Sequence, residues 1–192
     1  MDLNAFFNSE MEEHAAVAAA THAGLADAFQ QLVTICANSL KNGGKIMFFG
    51  NGGSAADCQH LATELTIRYK TDRAPIAAVA LTTDTSALTA CGNDLGFDQL
   101  FARQIAAIGR SGDVALGIST SGQSPNILEA FRIAREMGIA TVGLGGKGGG
   151  QMVGLADPLL IVPSDTTARI QEMHITLGQM LCGALEIELG LV

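Results

Sequence analysis

The sequence KIMFFGNGGSAADCQHLATEL, residues 45–65, decides the fold class of this chain. It begins with an apolar run, 45–50, that has the length of a buried strand, and a glycine-rich turn then leads directly into a helical pattern over 54–69. Four further apolar runs alternate with helical patterns along the chain: 75–81, 113–119, 139–144 and 158–162. This alternation predicts an α/β fold in which right-handed β-α-β units build an open parallel sheet with helices on both faces.

Further helical patterns lie outside the alternating part, at 4–22, 25–41 and 167–189. Additional helices on a chain of 192 residues commonly form a subunit interface, so we expect an oligomer. The length, together with the absence of an internal repeat or a linker, predicts a single domain over 1–192. Residues 1–42 would contribute part of the oligomer interface.

Charge and cysteine content exclude several classes of protein. The formal net charge is −8 and no stretch is rich in Lys or Arg, whereas binding to nucleic acid needs a basic surface. The four cysteines are widely spaced, which disfavours a disulfide framework and favours a reducing compartment. No uninterrupted apolar run approaches the roughly 18 residues of a membrane span. We therefore expect a soluble, cytoplasmic protein without nucleic-acid or membrane partners.

Two of the predicted strands end in unusual sequences, and ligands of open α/β sheets bind at these carboxyl ends. The first strand leads into a glycine turn, 50–53, which lets the backbone approach a ligand at the start of a helix. The third strand leads into a segment, 119–124, that we call the serine loop, with four hydroxyl side chains: Ser119, Thr120, Ser121 and Ser124. Hydroxyls beside free helix N–H groups predict a phosphate site, although turns and helix caps also favour these residues.

The helix after the glycine turn carries His60 and Glu64 on one face, because they are four residues apart. Such a pair either acts on a ligand above the sheet, as a metal site or in catalysis, or is an ordinary pair on a helix surface. Cys58 lies about 200° around the helix from His60 and is predicted to be in the core. In the last helix, Gln171 and His174 are neighbours near its start, where they could reach the same site.

The glycine-rich sequences also allow a nucleotide-binding interpretation. Gly50-x-Gly52-x-x-Ala55 follows a strand and opens a helix, but the acidic residue expected about 20 positions later is missing, and Asp84 lies well beyond that point. A second match, Gly143-x-Gly145-x-x-Gly148, runs into a segment broken by glycine rather than into a firm helix. Dinucleotide binding is therefore disfavoured, and the sequence has no P-loop motif.

Five motifs in order give the sequence a specific resemblance over essentially its whole length. They are Gly50-Asn51-Gly52-Gly53-Ser54, Gln59-His60 with Glu64, Gly92-Asn93-Asp94, Ser119-Thr120-Ser121-Gly122 with Ser124, and Arg169-Ile170-Gln171-Glu172 with His174. Together they resemble the phosphoheptose isomerases of the sugar-isomerase (SIS) domain superfamily. The resemblance implies a three-layer, flavodoxin-like five-stranded sheet with two extra N-terminal helices, and a homotetramer with active sites near subunit contacts.

The implied activity is the isomerisation of sedoheptulose 7-phosphate to D-glycero-D-manno-heptose 7-phosphate, for the heptose of lipopolysaccharide or capsule. The resemblance also implies one zinc ion per subunit, held by His60, Glu64 and Gln171. At the position where the family has a second histidine, as metal ligand and acid/base, this sequence has Gln179. The implied catalytic positions are thus Glu64, as base, and Gln179. The substrate-binding positions are Asn51, Gly52, Gly53, Glu64, Asn93, Asp94, Ser119, Thr120, Ser121, Ser124 and Gln171.

From spacing alone, Asn93 and Asp94 are explained by a turn between the helical patterns 85–91 and 97–108. The alternative to an enzyme is a non-catalytic or weakly catalytic SIS module that binds a phosphosugar or a protein partner. The complete His60 and Glu64 pair argues for the enzyme, since the resemblance implies that the relatives of this family that bind a replication initiator lack the glutamate.

Overall fold

The computed structural model describes residues 2–192, which form a single five-stranded sheet between two helical layers. The strands are β1 (Ile46–Gly50), β2 (Ala78–Ala80), β3 (Val114–Ser119), β4 (Ala140–Gly145) and β5 (Leu159–Ile161). The helices are α1 (Leu3–Gly24), α2 (Ala26–Lys41), α3 (Gly53–Thr66), α4 (Thr85–Asp94), α5 (Leu100–Ile108), α6 (Pro125–Glu136) and α7 (Thr167–Glu188). Short 3₁₀ segments occupy Phe97–Gln99 and Lys147–Met152.

All strands are parallel, in the order β2-β1-β3-β4-β5, which confirms the predicted flavodoxin-like sheet. The register pairs Gly50 with Ile118 and Ser119 with Gly145. The carboxyl ends of β1, β3 and β4 therefore lie side by side. The glycine turn and the serine loop, which follow β1 and β3, meet at this edge.

The sheet separates two apolar cores, because successive side chains of a strand point to opposite faces. Phe48 packs into one core with the buried residues of α2, α3 and α7. Phe49 packs into the other core, where its ring lies 5.6 Å from that of Phe101 and 5.3 Å from that of Phe131. The N-terminal helix α1 lies on the first side, where Val17 joins the core. No helix within residues 2–192 is long and apolar enough to cross a membrane.

The structure shortens or shifts several predicted elements. The run 75–81 contributes only Ala78–Ala80 to the sheet, because Pro75 has no N–H and the Ile76 N–H bonds to the Leu65 carbonyl instead. The predicted helix 97–108 divides into a 3₁₀ turn and α5. Asn93 and Asp94 form the last residues of α4 rather than a turn, so that prediction was wrong.

Candidate active site

The glycine turn brings the backbone of α3 close to α7. Gly52 has a φ of 57°, in the left-handed region that favours glycine, and α3 begins at the next residue. A Cβ atom at Gly53 would lie 2.7 Å from Nε2 of Gln171. Glycine at this position therefore allows the Gln171 amide to lie directly against the start of α3.

The serine loop is shaped by its own hydroxyl groups. The Ser119 hydroxyl accepts a hydrogen bond from the Gly122 N–H at 3.1 Å, and the Ser121 hydroxyl accepts one from the Gln123 N–H at 3.2 Å. Ser124 occupies the N-cap position of α6, and among the described residues its hydroxyl makes no cap hydrogen bond to that helix. Its nearest polar partner is the Ser119 hydroxyl, at 3.4 Å. This arrangement leaves the start of α6 open to an anion.

The second glycine-rich segment supports the serine loop from β4. A Cβ atom at Gly122, where φ is 62°, would lie 2.0 Å from the Gly149 carbonyl oxygen. The Gln151 N–H donates to the Gly122 carbonyl oxygen at 2.9 Å, and the Gln151 side chain donates to Gln123 at 2.8 Å. Gly122 and Gly149 therefore let the two loops pack together.

Asn126 belongs to the candidate site through its contact with Asn51, although no sequence motif indicated it. It is 1% exposed near the start of α6, and its side-chain amide exchanges two hydrogen bonds of 2.9 Å with the amide of Asn51. The pair connects the glycine turn to the first turn of α6, directly after the serine loop, across 75 residues of sequence. Asn51 thereby keeps one amide hydrogen and one lone pair for a ligand. Asn is common near the start of helices, so its presence at 126 did not predict a contact with Asn51.

The pair predicted on α3 is formed, and α7 adds a third side chain to it. His60 Nε2 lies 2.9 Å from Glu64 Oε1 and 2.9 Å from Gln179 Nε2. The His60 side chain is 50% exposed and that of Glu64 is 20% exposed, so the group can be reached from solvent. Helices α3 and α7 approach closely here because Gly178 has no side chain. A Cβ atom at that position would lie 2.5 Å from Leu61 Cδ1.

The side chains of His60, Glu64 and Gln179 could together hold a metal ion, although the amide is a weaker zinc ligand than an imidazole. A neutral imidazole nitrogen cannot both donate to a carboxylate and accept from an amide N–H. A cation between these groups would suit the imidazole nitrogen and the carboxylate, and it would suit Gln179 once the amide is turned so that its oxygen faces His60. Zinc takes nitrogen and oxygen ligands of the kind that His60 and Glu64 supply. Within residues 2–192, no cluster of three or more His, Cys, Asp or Glu side chains is placed to hold a metal, so amides must complete the set.

Gln171 and His174 do not join this group in the structure. Gln171 lies against Gly53, about two helical turns before His60 along α3. His174 is fully buried and its Nε2 bonds to the Gly145 carbonyl oxygen at 3.0 Å. Burial lowers the pKa of His174 to about 4, so the imidazole is neutral at physiological pH. His174 therefore fastens α7 to the end of β4.

The remaining charges of the α7 motif connect that helix to α1. The Arg169 guanidinium donates to the Glu10 carbonyl oxygen at 2.9 Å and also bonds the Glu172 carboxylate. His14 Nδ1 lies 2.8 Å from the other oxygen of Glu172. These contacts explain two motif residues as parts of the α1–α7 junction.

A cavity of about 320 Å³ lies between the glycine turn and α4, and Asn51, Thr82, Thr89 and Phe97 are among its lining residues. Its size is at the lower end for small-ligand sites. Asn93 and Asp94 follow Thr89 by one helical turn and are exposed, and they bond each other at 2.7 Å. They lie on the same helix as the cavity wall without lining the cavity.

Comparison with known proteins agrees with this architecture. Residues 11–146 match the family model of the SIS domain. A phosphoheptose isomerase of Paramagnetospirillum magneticum is 59% identical over 186 residues, which is 97% of each chain. The solved structures of phosphoheptose isomerases from Neisseria gonorrhoeae and Francisella tularensis are 42% and 36% identical, with TM-scores of 0.91 and 0.94. Each covers 97% of this chain and 100% of its own.

The parallel sheet and the hydroxyl-rich loop at its carboxyl edge thus define a protein of the SIS-domain class. Within that class, the chain belongs to the phosphoheptose isomerase family and is a sugar-phosphate isomerase.

Proposed function

We propose that this chain converts sedoheptulose 7-phosphate to D-glycero-D-manno-heptose 7-phosphate, in the biosynthesis of heptose for lipopolysaccharide or capsule. The observation that carries the proposal is that a hydroxyl-lined helix start and an imidazole–carboxylate pair follow neighbouring strands, β3 and β1, at one edge of the sheet. Isomerisation of an aldose and a ketose needs a phosphate anchor, a base and a group that polarises the carbonyl.

In this proposal, the Glu64 carboxylate moves the proton between C1 and C2 of the sugar. Its neighbour His60, at 2.9 Å, holds the carboxylate in place. The serine loop binds the phosphate through the hydroxyls of Ser119, Thr120, Ser121 and Ser124 and through the open start of α6. We assign the sugar hydroxyls to Asn51, Gly52, Gly53, Asn93, Asp94 and Gln171.

One zinc ion per subunit belongs to the same proposal. His60, Glu64 and Gln179 would hold it. Gln171, the further ligand that family membership suggests, lies against Gly53 in this structure and would have to move toward His60 to join them. When bound, the metal supplies a Lewis acid that polarises the substrate carbonyl.

The proposed function is tested by following sedoheptulose 7-phosphate by NMR in the presence of the protein, with and without added zinc. We expect signals of the heptose 7-phosphate to appear, and to grow in proportion to enzyme concentration. Absence of product under both conditions would contradict catalysis. Binding of the sugar phosphate without product would instead support a phosphosugar-binding module, an alternative that Gln179 keeps open because an amide cannot transfer a proton at neutral pH.

We expect the Ser121→Ala variant to bind sedoheptulose 7-phosphate roughly 10–150-fold more weakly, because it loses a hydrogen bond to a charged group. Calorimetric titration measures the affinity directly. The matched control is Ser111→Ala, whose hydroxyl lies 3.4 Å from the Gly138 carbonyl oxygen at the opposite edge of the sheet. Equal affinities for Ser121→Ala and the parent would sink the assignment of the serine loop.

The chain is also proposed to act in the cytoplasm as a homotetramer of one domain over 1–192, with 1–42 in the interface. The oligomer is supported by an apolar stripe on α1, where Leu3, Phe6, Phe7 and Met11 are 85%, 52%, 64% and 52% exposed. A groove of about 480 Å³ between α1, α2 and α7 continues this apolar surface. Such a surface is typical of a subunit contact. A cytoplasmic location is supported by the unpaired, buried thiols of Cys36, Cys58 and Cys182.

We expect Phe7→Asp to dissociate the tetramer, because a carboxylate would be buried in an apolar contact. Sedimentation velocity should show a species of lower mass at micromolar concentration. Asn8→Asp, which adds the same charge one residue further along the exposed α1 surface, serves as the control and should remain tetrameric. A monomeric parent protein would contradict the proposed assembly.

A further inference from the structure

Arg73 lies in the segment between α3 and β2, and its charged side chain is only 1% exposed. Its guanidinium makes four hydrogen bonds. Nε donates to Glu186 Oε1 at 2.8 Å, and Nη2 donates to the Glu64 carbonyl oxygen at 2.7 Å. Nη1 donates to the carbonyl oxygens of Leu65 and Ala74, at 2.7 and 3.1 Å. A buried cation is stable only with partners of this kind, so the arrangement is tightly determined.

Two of these bonds end the helix that carries the proposed base. The last carbonyl groups of a helix have no partners within it and carry partial negative charge. Helix α3 has no basic residue in its last turn and no glycine at its C-cap, where Ile67 stands. Arg73 donates to the Leu65 carbonyl oxygen, which also accepts from the Ile76 N–H, and to the Glu64 carbonyl oxygen. One of its acceptors is therefore the backbone of Glu64 itself.

The bond from Arg73 Nε to Glu186 connects the end of α3 to α7. Glu186 is 4% exposed and lies seven residues after Gln179, which places both on the same face of α7, about 10 Å apart along the axis. The guanidinium therefore joins the backbone of Glu64 to the face of α7 that carries Gln179. Two turns earlier, His60 meets Gln179 and Leu61 packs on Gly178, so α3 and α7 run parallel and are held at both ends of this contact.

We propose that Arg73 is a positioning residue that sets the separation of α3 and α7, and through it the place of the Glu64 carboxylate relative to Gln179 and the substrate. The inference rests on the proposed function, in which Glu64 moves a proton. A displacement of about 1 Å in a reacting group can reduce a rate on the order of 10²-fold. Arg73 would thus act on turnover without touching substrate.

The test compares kcat and KM for sedoheptulose 7-phosphate in Arg73→Met, Arg73→Lys and the parent, at a temperature where circular dichroism shows all of them folded. We expect Arg73→Met to lower kcat by roughly 10–100-fold. KM should change less than about threefold, because the serine loop, which binds the phosphate of the substrate, is unaffected. Arg73→Lys should recover part of the loss, because it keeps the charge but not the fork of donors.

The matched control is Lys45→Met, which removes a second ion pair of low exposure, that of Lys45 with Asp113 at the opposite edge of the sheet. It should lose stability while its kcat stays within about twofold of the parent. Equal kcat losses in Lys45→Met and Arg73→Met would mean that stability alone is responsible, and would overturn the inference. If Arg73→Met fails to fold, the double variant Arg73→Met/Glu186→Leu replaces it, because that variant leaves no unpaired buried charge. An unchanged kcat in the double variant would overturn the inference.

A parent protein without turnover would contradict the proposed function rather than this inference. Crystal structures of the parent and of Arg73→Met then test, independently of activity, whether Arg73 sets the position of Glu64. The inference requires that Glu64 moves by more than about 0.5 Å relative to Gln179 when both structures are superposed on the sheet. A smaller displacement would overturn it.

Discussion

Replacing Glu64 by Gln should reduce the turnover of sedoheptulose 7-phosphate by roughly 10²–10⁴-fold, the usual effect of losing a general base. The amide has the size and shape of the carboxylate but cannot accept a proton at neutral pH. The Glu64 side chain lies 20% exposed beside His60 and has no role in the apolar core. The fold and the tetramer should therefore remain intact.

The measurement is kcat by NMR or a coupled assay, together with the sedimentation coefficient and the melting temperature. Glu129→Gln is the matched control, since that carboxylate pairs with Arg132 on α6 and lies outside the proposed site. It should keep the activity of the parent. A Glu64→Gln variant with more than about a tenth of the parent activity would show that another group is the base.

The second large effect is expected at Gln179, where a change to His should increase turnover. The structure places the Gln179 amide 2.9 Å from His60 Nε2, so this position faces the proposed site. Imidazole is a better zinc ligand than an amide oxygen and can also carry a proton near neutral pH. We expect the parent to bind substrate normally but to turn it over slowly, with a deficit on the order of 10²–10⁴, or about 3–5.5 kcal/mol of barrier.

Zinc distinguishes the two roles that the position can have. If residue 179 only holds the metal, raising zinc should restore the activity of the parent to that of Gln179→His. If it transfers a proton, which we expect, saturating zinc should leave the parent slow and Gln179→His fast. Gln179→Ala is the control that measures what the amide itself contributes. A Gln179→His variant no faster than the parent at either zinc level would mean that the substitution at 179 is harmless.

His174 is not available to replace the missing histidine. Helix geometry alone places His174 about 140° around α7 from Gln179, so the two side chains do not share a face. The structure adds that its imidazole is fully buried and bonded to Gly145, with a pKa of about 4. The expected gain in Gln179→His should therefore be unaffected by His174.

Features that depend on neighbours in sequence were predictable. The apolar run 45–50 and the glycine turn after it predicted β1 and the start of α3, because strand burial and tight turns are local properties of a few residues. The His60 and Glu64 pair followed from helix periodicity, which brings residues four apart together in any helix. The failures were local as well: Asn93 and Asp94 suit a turn, yet α4 extends through them.

Contacts between distant segments were decided by the tertiary structure. Asn51 meets Asn126 only because β1 and β3 are neighbours in the sheet, and His60 meets Gln179 across 119 residues only because α3 and α7 cover the same face. No motif in the sequence distinguishes Arg73, and its side chain is buried only because α7 brings Glu186 to the end of α3. Helix periodicity specifies which side chains share a face, whereas the partner of that face depends on the strand order and on how closely the backbones can pack.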